Sequence, residues 1–342
     1  ISSGVVRVML IVNPFATATT AAGRDALVNT ISARVPVDVE HTTHRGHAGE
    51  LGALAREQGY DIVAVHGGDG SVNEVANGIL GSPTDFDPNL PRPALAIIPG
   101  GSANVFARTL GIDSDPLRAT RQLIDLVDAS SIHRIGLGHT DTRWFLFNAG
   151  MGMDAVVVHA MEDKRHAGKA ATPGRYLWTT VSCFIRGSSS QPPFRVQYDG
   201  HEPIDGVRFA FVSNTTPWTF LGNHEIRTNP GTDLSARLGL FAATSTGVLR
   251  NVGLATRLLT QRNPKAPHLI RDDDLPWLKV TSDGPVSCQI DGDYIGLRQT
   301  MTFASVPDAI GVVAGFAAGL AEDQRLFGLR ILGGDTVSTD RK

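Results

Sequence analysis

Gly67-Gly68-Asp69-Gly70-Ser71-Val72-Asn73-Glu74-Val75 decides how the rest of the chain is read. It follows a continuous apolar run, residues 60–66 (YDIVAVH), and leads into Val72, Val75, Ala76 and Ile79, which recur at helical spacing. An apolar strand, a glycine-rich turn and an amphipathic helix form a βα unit whose strand is covered on both faces. Three glycines let the backbone turn and let a ligand approach closely. The N–H groups and dipole at the helix opening favour a phosphate there. Asp69 either steers a magnesium-bound nucleotide or caps the helix. No Gly-Lys-Ser/Thr is present, so this is not a Walker loop. An ordinary βα turn is the plain alternative.

The pattern repeats on both sides of this stretch. Upstream, residues 5–12 (VVRVMLIV) read as a buried strand stopped by Asn13-Pro14, and Asn13-Pro14-Phe15-Ala16-Thr17 forms its turn. A helix over about 21–35, a short strand over 37–41 and a helix over 48–58 ended by Gly59 follow. Downstream, Ile97-Ile98-Pro99-Gly100-Gly101-Ser102-Ala103-Asn104-Val105-Phe106-Ala107-Arg108 again runs strand, glycine turn, helix. Two such turns at one edge of a parallel sheet define a ligand crevice at the carboxyl ends of the strands. Residues 1–130 are therefore expected to form a Rossmann-like parallel α/β domain.

After about residue 128 the character changes. Short strands at 144–148, 194–198, 207–213, 238–244, 278–281, 286–290 and 300–304 are separated by Gly, Pro, Asp and Asn, with one helix at 246–260. This predicts an antiparallel β-sandwich domain over 131–305. Within it, Gln289-Ile290-Asp291-Gly292-Asp293-Tyr294 carries two acids around a glycine. A carboxylate suits the base that a hydroxyl nucleophile needs, and a type I′ hairpin turn is the alternative. Asn148-Ala149-Gly150-Met151-Gly152-Met153-Asp154 is a further glycine-rich stretch. His41, His44 and His47 straddle a strand end and a loop with no acidic partner expected nearby, so a solvated reading outweighs a metal site.

Composition narrows the functions. Across 342 residues, Lys+Arg 31 against Asp+Glu 34 gives a net charge of −3, which argues against a protein that wraps nucleic acid. Gly 37 and Pro 19 indicate many tight turns. Two cysteines, Cys183 and Cys288, exclude a disulfide framework and read as reduced thiols. The longest apolar stretch, 309–321, falls short of a membrane span. Ile1-Ser2-Ser3-Gly4 carries no signal-peptide pattern, so a cytoplasmic protein is expected. The basic stretch holding Lys164, Arg165, Lys169 and Arg175 reads as a solvated loop, with anionic lipid the alternative.

The set GGDGSVNEVANGI, IPGGSANVFARTLGI, NAGMGMDAV and a late DGD resembles the diacylglycerol kinase catalytic-domain family, which includes bacterial soluble lipid kinases and the sphingosine and ceramide kinases. The resemblance covers about residues 5–325. It implies an N-terminal domain similar to those of phosphofructokinases and NAD kinases, a β-sandwich carrying the lipid site, and a return of residues 306–330 to the first domain; the last twelve residues, 331–342, read from the sequence as a flexible tail. It implies ATP with Mg2+, and nucleotide contacts at Asn13, Pro14, Phe15, Ala16, Thr17 and Thr42, with Thr43 the neighbouring candidate. The phosphate loop would be Gly67, Gly68, Asp69, Gly70, Ser71, Val72, Asn73 and Glu74, joined by Gly100, Gly101, Ser102 and Asn104. The late acids land on Asp293, as general base, and Asp291, its alternate. The family's third acid is usually Glu, so Asp293 is one methylene short. Carboxylates of a magnesium site found in many bacterial members are missing from Pro230-Gly231-Thr232-Asp233, where Asp233 is the stand-in. The implied reaction is γ-phosphoryl transfer to a lipid hydroxyl, diacylglycerol first, with a sphingoid base or other lipid alcohol as the alternative. An NAD kinase-like enzyme and a non-catalytic nucleotide-binding regulator are the remaining readings. The partners implied are the lipid and an anionic membrane met peripherally, with a homodimer left open.

Overall fold

The computed structural model describes residues 6–16, 20–152, 192–221, 224–235, 237–244, 248–260, 263 and 265–315. Thr17, Met153, Asp154, Cys183, the basic stretch 164–175 and the residues from 316 onward lie outside the described residues.

The first half alternates β1 (Val8–Val12), α1 (Ala21–Ser32), β2 (Val37–His41), α2 (His47–Glu57), β3 (Ile62–Gly67), α3 (Asp69–Leu80), β4 (Ala94–Pro99), α4 (Val105–Thr109) and α5 (Pro116–Asp128). Its strands run parallel in the order β4-β3-β1-β2. β1, β3 and β4 are buried at every residue, as apolar strands covered on both faces must be. Helix α5 was not foreseen. Asp115 caps it by accepting from Arg118 N, and Pro116 takes the first helical position.

The second half holds β5 (Ile132–His139), β6 (Trp144–Phe145), β7 (Asn148–Met151), β8 (Phe194–Tyr198), β9 (Ile204–Val207), β10 (Phe209–Ser213), β11 (Thr219–Leu221), β12 (His224–Ile226), β13 (Leu238–Ala243), α6 (Val248–Thr260), β14 (Leu269–Leu275), β15 (Trp277–Ile290) and β16 (Asp293–Val313). Its strands pair antiparallel with one another, giving the α/β plus β-sandwich class. Alternation divides the faces of β10: Ala210 and Val212 join the sandwich core with Met151, Val196, Leu240 and Phe303, while Phe209 and Phe211 pack with Phe241 and Leu254 of α6.

Two long strands replace what the sequence suggests are short ones. The stretches 278–281 and 286–290 are one strand, β15, with register shifts between Thr281 and Val286 and between Ser287 and Gln289. Its first part pairs with β8 and its last part with β7. The segment 300–304 is the middle of β16. This strand pairs with β15, then β5, and at Val312 lies parallel to Leu95 of β4.

Candidate nucleotide and acid site

Register places the turns. Val12 lies beside both His41 and His66, and His66 beside Ile98. Four parallel strands thus end at one level, and each opens there into a candidate segment: Asn13–Ala16, Thr42, Gly67–Asp69 and Gly100–Asn104.

The turns are tied to one another. Asn13 N donates to His66 O at 2.9 Å, Asn13 Nδ2 donates to Ser71 Oγ at 3.0 Å, and Asn13 Oδ1 accepts from Phe15 N at 2.9 Å. Thr42 is buried and its N donates to Val12 O at 3.0 Å. Phe15 is 78% exposed and Ser102 is exposed. Gly100 N donates to Gly67 O at 2.8 Å. A Cβ at Gly101 would fall 2.7 Å from Gly68 Cα, and one at Gly68 would fall 3.3 Å from Gly101 Cα. The two glycine turns therefore touch backbone to backbone. Asn104, with φ at 47°, closes the second turn: its Oδ1 accepts from Gly101 N at 2.9 Å and its Nδ2 donates to Gly101 O at 2.8 Å.

Helix α3 begins at Asp69, so Asp69, Gly70 and Ser71 form its first turn rather than a loop. Gly68 is its N-cap and no side chain caps it. Asp69 instead accepts from Val105 N at 3.1 Å and Phe106 N at 3.2 Å, bridging the first glycine turn to the opening of α4. Val72 is buried in the core of the first half. Glu74 Oε1 accepts from Gly46 N at 3.1 Å, which fixes the turn entering α2.

Asn73 is fully buried and points away from the glycine turns' own hydrogen bonds: its Nδ2 donates to Asp291 Oδ2 at 2.7 Å. Asp291 and Gly292 both have positive φ, 46° and 80°, between the paired Ile290 and Asp293, as a type I′ hairpin requires. The Asp291 carboxylate does more than turn the chain. It also accepts from Leu146 N at 2.7 Å and from Phe147 N and Asn148 N at 3.0 Å each. Burial pushes its carboxyl up to about 6, against the pull of those three N–H groups and of Arg143. Asp293 is the more accessible acid, with an 18% exposed side chain. Arg143 Nη2 lies 3.0 Å from its Oδ2, and Arg45 Nη2 3.8 Å from its Oδ1.

Asp233, the stand-in for the magnesium site, is engaged within its own turn. Asp233 Oδ1 accepts from Ser235 N at 2.7 Å and Ser235 Oγ at 2.6 Å. Asp273, on β14, accepts from Asn229 Nδ2 at 2.9 Å and Thr232 Oγ1 at 2.8 Å. Among the described residues no group of three or more His, Cys, Asp or Glu is placed to hold a metal. His44 does find an acid, with its Nε2 3.2 Å from Glu50 Oε1, because the turn entering α2 folds it back beside the helix's first turn; it also stacks on His47 at 4.8 Å. Sequence reading passed over Arg143 and Arg45; nothing in their local sequence distinguishes them, and only the fold brings them to Asp293.

A parallel α/β half with glycine turns at its carboxyl edge is thus joined to an antiparallel half that supplies two acids. Residues 7–134 match the sequence model of the diacylglycerol kinase catalytic domain. A diacylglycerol kinase of Staphylococcus saprophyticus is 34% identical over 197 residues, covering 56% of this chain and 58% of its own length. One of Staphylococcus aureus is 28% identical over 182 residues, covering 52% of this chain and 51% of its own length. The chain thus matches just over half the length of these curated relatives. A crystal structure of a candidate diacylglycerol kinase from Bacillus anthracis shares the fold, with a TM-score of 0.73 at 21% identity, over 91% of this chain and 98% of the other.

Proposed function

We propose that this protein is an ATP-dependent lipid kinase that transfers the γ-phosphoryl group to a lipid hydroxyl, with diacylglycerol as acceptor and phosphatidic acid as product. The observation that carries the reading is the direct bond between Asn73, on the helix opened by the first glycine turn, and Asp291 of the late acid pair. It brings a nucleotide-type sheet edge and a candidate base into one site. The similarity to the staphylococcal diacylglycerol kinases supports the lipid acceptor.

In this reading residues 1–130, completed by 306–330, hold the nucleotide, and 131–305 hold the lipid. The N-terminus of α3, which no side chain caps, leaves N–H groups for phosphate oxygens. Magnesium carried by the nucleotide needs one or two protein carboxylates and would neutralise charge on the phosphates. Asp69, at the opening of α3, would be the carboxylate to serve it. The lipid oxygen forms a bond to the γ-phosphorus as the bond from that phosphorus to the β-bridging oxygen breaks. The hydroxyl proton passes to a carboxylate, Asp293 being the more accessible of the pair, and ADP leaves. Positioning and charge stabilisation supply most of the acceleration in such transfers.

No helix among the described residues is long and apolar enough to cross a membrane. We propose peripheral contact with anionic lipid through Lys164, Arg165, Lys169 and Arg175, each basic residue contributing about 1 kcal/mol near such a surface. Sedimentation at low salt should be stronger with anionic than with neutral vesicles, and equal sedimentation refutes it.

The test of the reaction is transfer from radiolabelled ATP to a panel of diacylglycerol, sphingoid base and other lipid alcohols. Asp293→Asn is expected to lower kcat by about 10²-fold or more, with the KM for ATP little changed. A wild-type chain that labels no lipid, or an Asp293→Asn chain that keeps more than about a tenth of kcat, counts against the proposal.

A further inference from the structure

Arg143 lies in the turn between β5 and β6, outside every glycine-rich stretch. Its Nε donates to Asn73 Oδ1 at 2.9 Å, and its Nη2 donates both to that oxygen and, at 3.0 Å, to Asp293 Oδ2. The other end of the same amide, Asn73 Nδ2, donates to Asp291 Oδ2 at 2.7 Å and to Trp144 O at 3.2 Å. One guanidinium therefore holds one acid directly and the other through a single amide. The groups arrive from α3, the β5–β6 turn and the β15–β16 hairpin, so no local sequence sets their spacing.

The chemistry admits one arrangement. An amide between a guanidinium and a carboxylate satisfies both when its oxygen faces the cation and its NH2 faces the anion. Turning it over would set an amide oxygen against a carboxylate in a buried place, at the cost of a lost bond and a repulsion. The planar fork of arginine also fixes the direction of each donated bond, which a lysine ammonium does not. Asp291 is anchored by three further backbone N–H groups, whereas Asp293 is the less enclosed acid.

We propose that Arg143 is a positioning residue of the transfer site: it fixes the Asn73 amide and the Asp293 carboxylate together, and so sets the separation of the two acids. The kinetic consequence rests on the lipid-kinase reading; the geometric consequence does not. If Arg143 is only a structural pin between the two halves, its loss lowers stability without separating kcat from KM and without moving Asp293.

The experiment uses the full chain as wild type, Arg143→Gln, Arg143→Lys, Asp293→Asn and the Arg143→Gln/Asp293→Asn pair. Transfer from radiolabelled ATP to diacylglycerol in mixed micelles is measured alongside thermal unfolding, and Arg143→Gln is crystallised beside the wild type. The expectation for Arg143→Gln is a kcat about a hundredfold lower with the KM for ATP within about threefold, since misplacement by about 1 Å costs that much. Arg143→Lys recovers part of kcat, and the double variant is no slower than Asp293→Asn alone. In the crystal the Asp293 carboxylate of Arg143→Gln shifts by about 1 Å or more, or the Asn73 amide turns. A kcat within about twofold of wild type, losses that multiply in the double variant, or an unmoved Asp293 and Asn73 overturns the proposal. If Arg143→Gln does not fold, Arg143→Lys carries the same comparisons. If the wild type labels no lipid, the kinase reading fails separately, and the crystal comparison still decides the role of Arg143.

Discussion

Asp291 and Asp293 sit two residues apart on one hairpin, yet the first is enclosed by four donors and the second, more exposed, meets two arginines. Burial raises the Asp291 carboxyl from 3.8 to about 6, so the folded chain holds that proton more tightly than the unfolded chain. The contribution to stability is full below about pH 4 and is lost as pH rises through about 6. The stability gap between wild type and Asp291→Asn should therefore widen by up to about 3 kcal/mol from pH 7.5 to pH 4, read by denaturant titration. A gap that narrows refutes this. At Gly68 a valine would press on Gly101 Cα, 3.3 Å from the first added carbon. Gly68→Val is expected to abolish ATP binding by calorimetry while the chain still folds; unchanged affinity removes the first glycine turn from the nucleotide site. The acid pair and the glycine turns were legible because their residue types are restricted by the chemistry. Arg143 was not, because its partners lie 70 and 150 positions away.

Helices α2 and α3 show what glycine does when no turn is involved. A Cβ at Gly78 of α3 would fall 2.0 Å from Gly49 O, and one at Gly52 of α2 would fall 2.7 Å from Val75 O. The helices pack with their backbones in close approach, and this sets α3, with Asn73 and Glu74, against the turn at Gly46. Gly78→Ala should lower stability by about 1–3 kcal/mol, measured as a fall in melting temperature, despite the better helix propensity of alanine. An unchanged or raised melting temperature shows that the helices separate freely. Apolar spacing announced both helices to within a few residues. It did not announce how closely they approach, since a glycine inside a helix carries no periodicity of its own. The start of α3 was placed three residues late for a related reason: Asp69, Gly70 and Ser71 read as turn formers, and the helix takes them in because Asp69 is engaged by α4.

The change from alternating strands and helices to short strands between Gly, Pro, Asp and Asn is legible after about residue 128, but the joining of the two halves is not. Ile135 and Leu137 of β5 and Ile310, Val312 and Val313 of β16 belong to the core of the first half. A fragment of residues 1–130 lacks them. It should behave as a loosely packed state that binds the dye ANS and gives poorly dispersed amide spectra. A cooperative unfolding transition in that fragment refutes this. The pairing of Leu95 with Val312 also orders events in the cell. Synthesis runs from the N-terminus, and domains generally fold as they emerge. Here β4 waits as an open edge until β16 has been made, since β16 covers the side that β3 leaves bare. During that interval the nascent chain presents a row of unpaired backbone groups on an apolar strand, the kind of edge that recruits other chains. Overproduction is then expected to be limited by aggregation on the ribosome, and slower elongation or chaperone supply during the second half of translation should raise the yield of folded protein.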